Sequence, residues 1–457
     1  MPSRRALLTT VGGGLAALSG CTSDEPPLEG GSPTETAVPV PTETDARTPA
    51  TDGDRPTRTP RDPMVLDVSG TWPQDGFDAG HGGVTSAAGV PGSAEPYWHL
   101  TRQRSGPVVL TDGYLLHSGN VGEDPSAPPT VTRTWPPGTS APDGGRRALF
   151  CRDARDGRLL WTRTTNGGQR WPTVADGNVV TAGNGTLVAH RVADGGEVWR
   201  HDLGGRRAGV STTLGGTVLV STEIPGADDR EADVRAYDAT DGTHRWTRSS
   251  PKQRADLGAT GDTVLSLSSK FQVGSVLTAR ALGDGSERWS VELDDNGIPG
   301  GPYVAGETAY VAPDDGGVHA FALANGERRW HYEAETPNVV GVAASDDTAY
   351  LVDGGRIAVV SVDDGGERWA VSPTGDAGYA GRPAVGSGAI YLERRGFPAD
   401  VVALSRADGS HRWSHTLPET TVEGDMVTSG LAAQPTVAED AVYAYAEDGL
   451  YAFGPER

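Results

Sequence analysis

The sequence predicts an all-β fold, an eight-bladed β-propeller, and three observations carry that prediction. Tryptophans recur at 98, 161, 199, 246, 289, 330, 369 and 413; after a first gap of 63 the spacings are 38, 47, 43, 41, 39 and 44 residues. Such a period matches one four-stranded blade per repeat. Four residues before each of the last seven stands a glycine, at 157, 195, 242, 285, 326, 365 and 409, preceded by Asp or, at Asn325, by Asn. That pair supplies the positive φ angles of a tight hairpin turn between apolar strands. Finally, 64 glycines and 33 prolines among 457 residues leave little room for long helices. Length alone would suggest two or three domains, but a repeat array that folds as one unit overrides it.

In chain order, residues 1–21 read as an address. Arg4-Arg5 opens a positively charged start, and a short apolar stretch from Ala6 to Leu18 follows, too short to span a bilayer. The paired arginines resemble a twin-arginine export signal, and Leu18-Ser19-Gly20-Cys21 resembles a lipobox in which Cys21 is lipidated. The expected location is the outer face of the cytoplasmic membrane, with membrane lipid as one partner through Cys21. Residues 22–64 hold nine Thr and nine Pro with almost nothing apolar. Such a segment does not bury enough surface to offset its ordering entropy, so an extended stalk is expected, reaching on the order of 100 Å. Residues 65–94 are a lead-in with no repeat register.

From residue 95 each unit adds two further regularities. Twelve before Trp the residue is apolar, as at Leu149, Leu187, Val234, Leu277, Val318, Ile357 and Val401. Ten before Trp it is small, as at Ala189, Ala236, Ala279, Ala320 and Ala403, with Cys151 and Val359 in the same register. This period of two marks one packed face. An upstream strand pair completes each unit, as in Pro302-Tyr303-Val304-Ala305 and Thr308-Ala309-Tyr310-Val311. The chain ends on three strands that lack a Trp strand, and Glu95–Leu100 with Trp98 is expected to supply it. Pairing the two termini would close the ring and remove exposed sheet edges.

The pattern Ala-x-x-x-x-Asp-Gly-x-x-x-Trp, as from Ala236 to Trp246, resembles the tryptophan-docking repeat of the quinoprotein (PQQ-like) β-propellers. The resemblance spans roughly residues 95–457 and implies that Trp98, Trp161, Trp199, Trp246, Trp289, Trp330, Trp369 and Trp413 pack between adjacent blades. In that family the fold serves PQQ-dependent dehydrogenases of alcohols and sugars. It also serves a non-catalytic lipoprotein of the outer-membrane β-barrel assembly machinery. The dehydrogenases imply PQQ, a Ca²⁺ site, an aspartate base and an adjacent-cysteine disulfide. With only Cys21 and Cys151, the disulfide is absent. Cys151 reads instead as a small buried strand residue.

No other chemistry stands out, so no catalytic and no metal-ligating residue is assigned. The ten histidines form no zinc pattern; His244 and His411, both two before Trp, read as strand-surface positions. Asn184-Gly185-Thr186 fits a glycosylation acceptor and, equally, a hairpin turn, the reading preferred here. A formal charge of −22, with only Lys252 and Lys270 among 39 cations, argues against nucleic-acid partners and fits solubility in strong salt. A haloarchaeal source is therefore expected, although GC-rich coding also replaces Lys with Arg. Insertions break the repeat between Leu116 and Ala148, Thr222 and Asp233, and Arg394 and Asp400. All three join second to third strands and so emerge on one face. Trp135, Arg146, Arg147, Arg394 and Arg395 on that face are the candidate binding residues. The expected function is a non-catalytic, lipid-anchored scaffold, monomeric, for an envelope protein or extracellular ligand. The alternatives are a PQQ-dependent dehydrogenase with PQQ and Ca²⁺, and a carbohydrate-binding or sensing module.

Overall fold

The structure is a computed structural model. It describes residues 66, 68–101, 106–120, 147–165, 171–223, 232–250, 254–270, 274–293, 300–313, 316–335, 339–375, 377–422 and 426–456. All lie in one compact unit, Arg61–Arg457. Arg4, Arg5, Cys21, the stalk, Trp135 and Arg146 fall outside the described residues.

Every regular element among the described residues is a β-strand, and the strands pair antiparallel in chain order. The first complete sheet runs Val109–Thr111, Tyr114–Asn120, Arg147–Asp153, Leu159–Thr165. Four-stranded sheets of the same order start at Arg254–Thr260, Gly300–Ala305, Val339–Ala344 and Tyr379–Val385. Between the first and these lies a seven-stranded sheet from Thr173–Ala175 to His244–Ser249. Two units share it, because the 18-residue strand Glu197–Leu214 ends one and begins the next. In the last sheet, Thr436–Ala438, Ala441–Ala446 and Gly449–Pro455 are joined by Ala94–Thr101 from the other end of the chain, with Ala94 opposite Pro455 and Thr101 opposite Gly449. Two of the insertions are shorter than the sequence suggests, and the third runs between Arg394 and Asp400 as read. Strand structure reaches Asn120 and resumes at Arg147, and reaches Glu223 and resumes at Ala232.

Register explains the small residue ten before each tryptophan. It lies directly across the sheet from the indole: Cys151 opposite Trp161, Ala189 opposite Trp199, Ala236 opposite Trp246, and so on to Ala403 opposite Trp413. Ala452 faces Trp98 in the same way, so the strand from the N-terminus takes the place that the repeat reserves. A bulge follows each of these pairs toward the turn. Cys151 is fully buried, as read, and burial pushes its thiol up to about 12.

Each indole reaches into the next repeat. Trp161, Trp199, Trp246, Trp289 and Trp330 donate Nε1–H to the carbonyls of Val192, Ala239, Leu282, Leu323 and Val362, at 2.7–3.1 Å. Each acceptor lies three residues before the next Asp-Gly or Asn-Gly glycine. Trp413 has no such turn ahead of it and donates to Val90 in the lead-in at 2.6 Å. Trp98 departs from the pattern. Its Nε1 is buried without a partner, and the equivalent carbonyl, Ala154, accepts the Tyr443 hydroxyl at 2.9 Å.

One core histidine is expected to contribute acid sensitivity to the fold. His117 is buried, stacks on Phe150 at 5.1 Å, and its Nε2 accepts the Arg152 Nε–H at 3.2 Å. Burial, then the Arg152 charge, depresses it to about 3. The folded value lies below that of the unfolded chain, so the unfolded state binds the proton first. The contribution is whole above pH ~6.5 and is lost as pH falls toward 3, by up to ~1.4 kcal/mol per pH unit. His117→Gln, which keeps an acceptor for Arg152, is expected to flatten the acid limb of a urea-midpoint-against-pH curve. A limb parallel to that of the parent would show that other groups set it.

Candidate functional site

The first strands of successive sheets neighbour one another, and Thr436–Ala438 neighbours Val109–Thr111. Along this row lies the lead-in, which bonds to the first strand of every unit in turn. Trp72 exchanges backbone bonds with Leu110 at 2.7 and 2.8 Å, and the Pro73 carbonyl accepts Val174 N–H at 2.7 Å. Gln74 Oε1 accepts Thr213 N–H at 2.8 Å and the Thr212 hydroxyl at 3.0 Å. The carbonyls of Ala79, Gly80, Gly82 and Gly83 accept the N–H groups of Ala259, Val304, Ala344 and Val385, at 2.6–2.8 Å. Gly89 N–H donates to the Ala438 carbonyl at 3.0 Å. Eight first strands are met in order by one segment of eighteen residues, from 72 to 89. Gly80 is required there, since a Cβ would lie 2.2 Å from the Val304 carbonyl oxygen.

Side chains tighten the seat. His81 places Nδ1 2.7 Å from the Asp75 carbonyl and Nε2 2.9 Å from that of Leu257. Both are carbonyl acceptors, so the ring N–H is the donor in this seat. Arg382 donates to the carbonyls of His81 and Val342, lies 3.5 Å from the Asp75 carboxylate, and sits 4.9 Å over the Tyr303 ring. Burial raises the Tyr303 hydroxyl, against the pull of Arg382.

The described residues of this arrangement do not offer the ligand set of the calcium that the dehydrogenases imply. A Ca²⁺ ion takes six to eight oxygen ligands. Among the described residues no group of three or more His, Cys, Asp or Glu is placed to hold a metal ion. The polar set nearest the segment is already engaged, Arg382 with Asp75, Tyr303 and two carbonyls.

At the far end of the sheets, the insertion between strands Ala389–Arg394 and Asp400–Ser405 gives a different surface. Phe397, at its tip, is 74% exposed, with exposed Arg395 beside it. Arg394, expected to face a partner, instead pairs with Asp400 across the loop base, Nε–Oδ2 2.9 Å. The insertion is short enough to bring its own counter-ion within reach. Arg147 is also a strand residue, opposite Asn120 and Thr165 and half-buried. Of the five candidates, Arg395 is left displayed; Trp135 and Arg146 fall outside the described residues. Phe397 and Trp171, 40% exposed on a connector of the same face, were not singled out from sequence. The signal was a large aromatic within a Gly-Phe-Pro insertion, in a chain with only six phenylalanines. His244 and His411 are exposed strand residues, as read. Asn184 and Gly185 form the turn closed by Gly183 N–H to the Thr186 carbonyl at 2.9 Å.

No curated protein matches the chain in sequence. In fold it is similar to a europium-containing methanol dehydrogenase, TM-score 0.58 at 11% identity over 84% of this chain and 98% of that one. It is also similar to a quinohemoprotein alcohol dehydrogenase from Comamonas testosteroni, TM-score 0.56 at 14% identity over 85% and 81%. BamB from Moraxella catarrhalis gives TM-score 0.50 at 14% identity over 80% and 98%. These likenesses establish a β-propeller fold alone. A family profile described as outer membrane protein assembly factor BamB matches residues 145–290, 230–391 and 372–455. Those matches cover well over half of the sequence, and on that ground the chain belongs to the PQQ-like propeller family that carries the BamB description.

Proposed function

We propose that this protein is a non-catalytic scaffold, an eight-bladed propeller closed by its terminal strands. It captures an envelope protein or extracellular ligand on the face that bears the inserted loops. The observation that carries the reading is Phe397, 74% exposed at a loop tip beside Arg395. Exposed aromatic and arginine anchors are what interface hot spots are made of. Residues 72–89 support it further, because they take up the hydrogen-bonding groups of the first strands that an axial ligand would need. Lipidation at Cys21 after export by an Arg4-Arg5 signal, a stalk over 22–64 and a haloarchaeal source complete the proposal. Such a stalk would hold the propeller off the membrane.

The test uses the full chain as bait on membranes of the source organism. Phe397→Ser with Arg395→Glu should reduce partner capture at least about tenfold, as loss of a hot spot does. Thermal unfolding should be unchanged, since both side chains are exposed. Deleting residues 121–146 tests the larger insertion while sparing the strand that starts at Arg147. Undiminished capture by both variants would refute the proposal. Glycan-array binding would favour the carbohydrate reading, and dye-linked oxidation with added PQQ and Ca²⁺ the dehydrogenase.

A further inference from the structure

A cavity of about 340 Å³ opens where the first strands turn into the second, at the end opposite the inserted loops. The lead-in contributes Asp78 to its wall; the turns contribute Asp346, Thr260 and Ser345, and Val304 and Leu214 supply apolar surface. Among the described residues no Lys, Arg or His lines it. Asp78 is half-buried, its Oδ1 accepts Gly82 N–H at 2.7 Å, and burial raises its carboxyl. The side chains of His81 and Arg382, which also face it, lower it less and are not among the residues that line the cavity. Asp346 is exposed at the rim. Two carboxylates and two hydroxyl-bearing residues thus surround a space with apolar sides and no positive charge.

We infer that this cavity binds a small organic cation, an ammonium whose charge sits against Asp78 and Asp346 while its carbon skeleton lies on Val304 and Leu214. At ~30 Å³ per water-sized group the space holds about ten heavy atoms. A carboxylate in a partly dehydrated recess attracts a cation more strongly than one in bulk water does. The site lies at the other end of the sheets from the loop face, so it stands or falls independently of partner capture there.

The experiment titrates the full chain with n-butylammonium by calorimetry, with n-butanol as the neutral isostere. Saturable binding of the ammonium is expected, at least about tenfold tighter than the alcohol. Asp78→Asn should weaken it about tenfold or more. Ala305→Leu, which puts a larger side chain into the wall and leaves both carboxylates in place, should block it. Equal binding of ammonium and alcohol by the parent protein, or no saturable ammonium binding, overturns the inference without any variant having to fold. Unchanged affinity in folded Asp78→Asn overturns it too.

Discussion

Replacing Trp72 by alanine is expected to lower the unfolding free energy by about 3–5 kcal/mol, the usual loss for a buried tryptophan. Trp72 is 1% exposed and packs on Phe77 with ring centroids 5.1 Å apart. It joins a core cluster that also holds Leu110, Trp413, Val437 and Phe453, a cluster that draws on both the first complete sheet and the one built from the two chain ends. Its backbone is locked to Leu110 in both directions. The segment that follows is bonded to one first strand after another, so freeing its start should loosen the rest. Amides donated into it, at Val174, Ala259, Val304 and Ala344, should lose hydrogen-exchange protection together. Trp171→Ala is the control: that side chain is 40% exposed, and the expected change is within about 0.5 kcal/mol. Denaturant melts of both variants check this. Comparable losses would mean that the lead-in is only draped over the sheets.

Why the repeat was legible and this segment was not follows from which atoms do the work. The tryptophan register is a side-chain code. The C-terminal strands lacked a Trp strand and Glu95–Leu100 carried Trp98, so residue type alone pointed to the N-terminal strand, whose Trp98 then lies opposite Ala452 as Trp246 lies opposite Ala236. The lead-in is held by main-chain carbonyls at Pro73, Ala79, Gly80, Gly82 and Gly83, groups that every residue carries and no pattern announces. Its visible trace was Gly80-His81-Gly82-Gly83, whose missing side chains let two backbones approach. The loop face was half legible for a related reason. Choosing arginines in insertions found Arg395 but also Arg394, whose partner Asp400 is six residues away and visible only once the strands pair. Phe397 was within reach, because an apolar ring in a five-residue insertion has no core to enter.

Gly242→Ala is expected to cost more than Gly177→Ala, and the difference isolates what tryptophan docking demands of the turn. Both glycines hold left-handed conformations, φ +75° and +74°. An alanine at either therefore suffers similar strain, about 1–2 kcal/mol. Around Gly177 nothing lies within 4 Å of the position of an added Cβ. At Gly242 the Cβ would stand 2.7 Å from Trp199 Cδ2 and 2.9 Å from Cγ. That indole has nowhere to go: its Nε1–H is bonded to Ala239 in the same turn at 3.1 Å, and it is 8% exposed. Overpacking adds about 1–3 kcal/mol, for a total of about 2–5. Asparagine sharpens the contrast, since it tolerates the left-handed conformation yet carries a Cβ. Gly177→Asn should be close to neutral and Gly242→Asn should still be destabilised, with urea midpoints as the measurement. Equal losses at the two positions would mean that glycine is needed only to make the turn. Unequal losses mean that one glycine does two jobs: it reverses the chain and offers a bare backbone on which the preceding unit's tryptophan lies, which is why an Asp-Gly or Asn-Gly turn and a Trp recur as a pair across seven repeats.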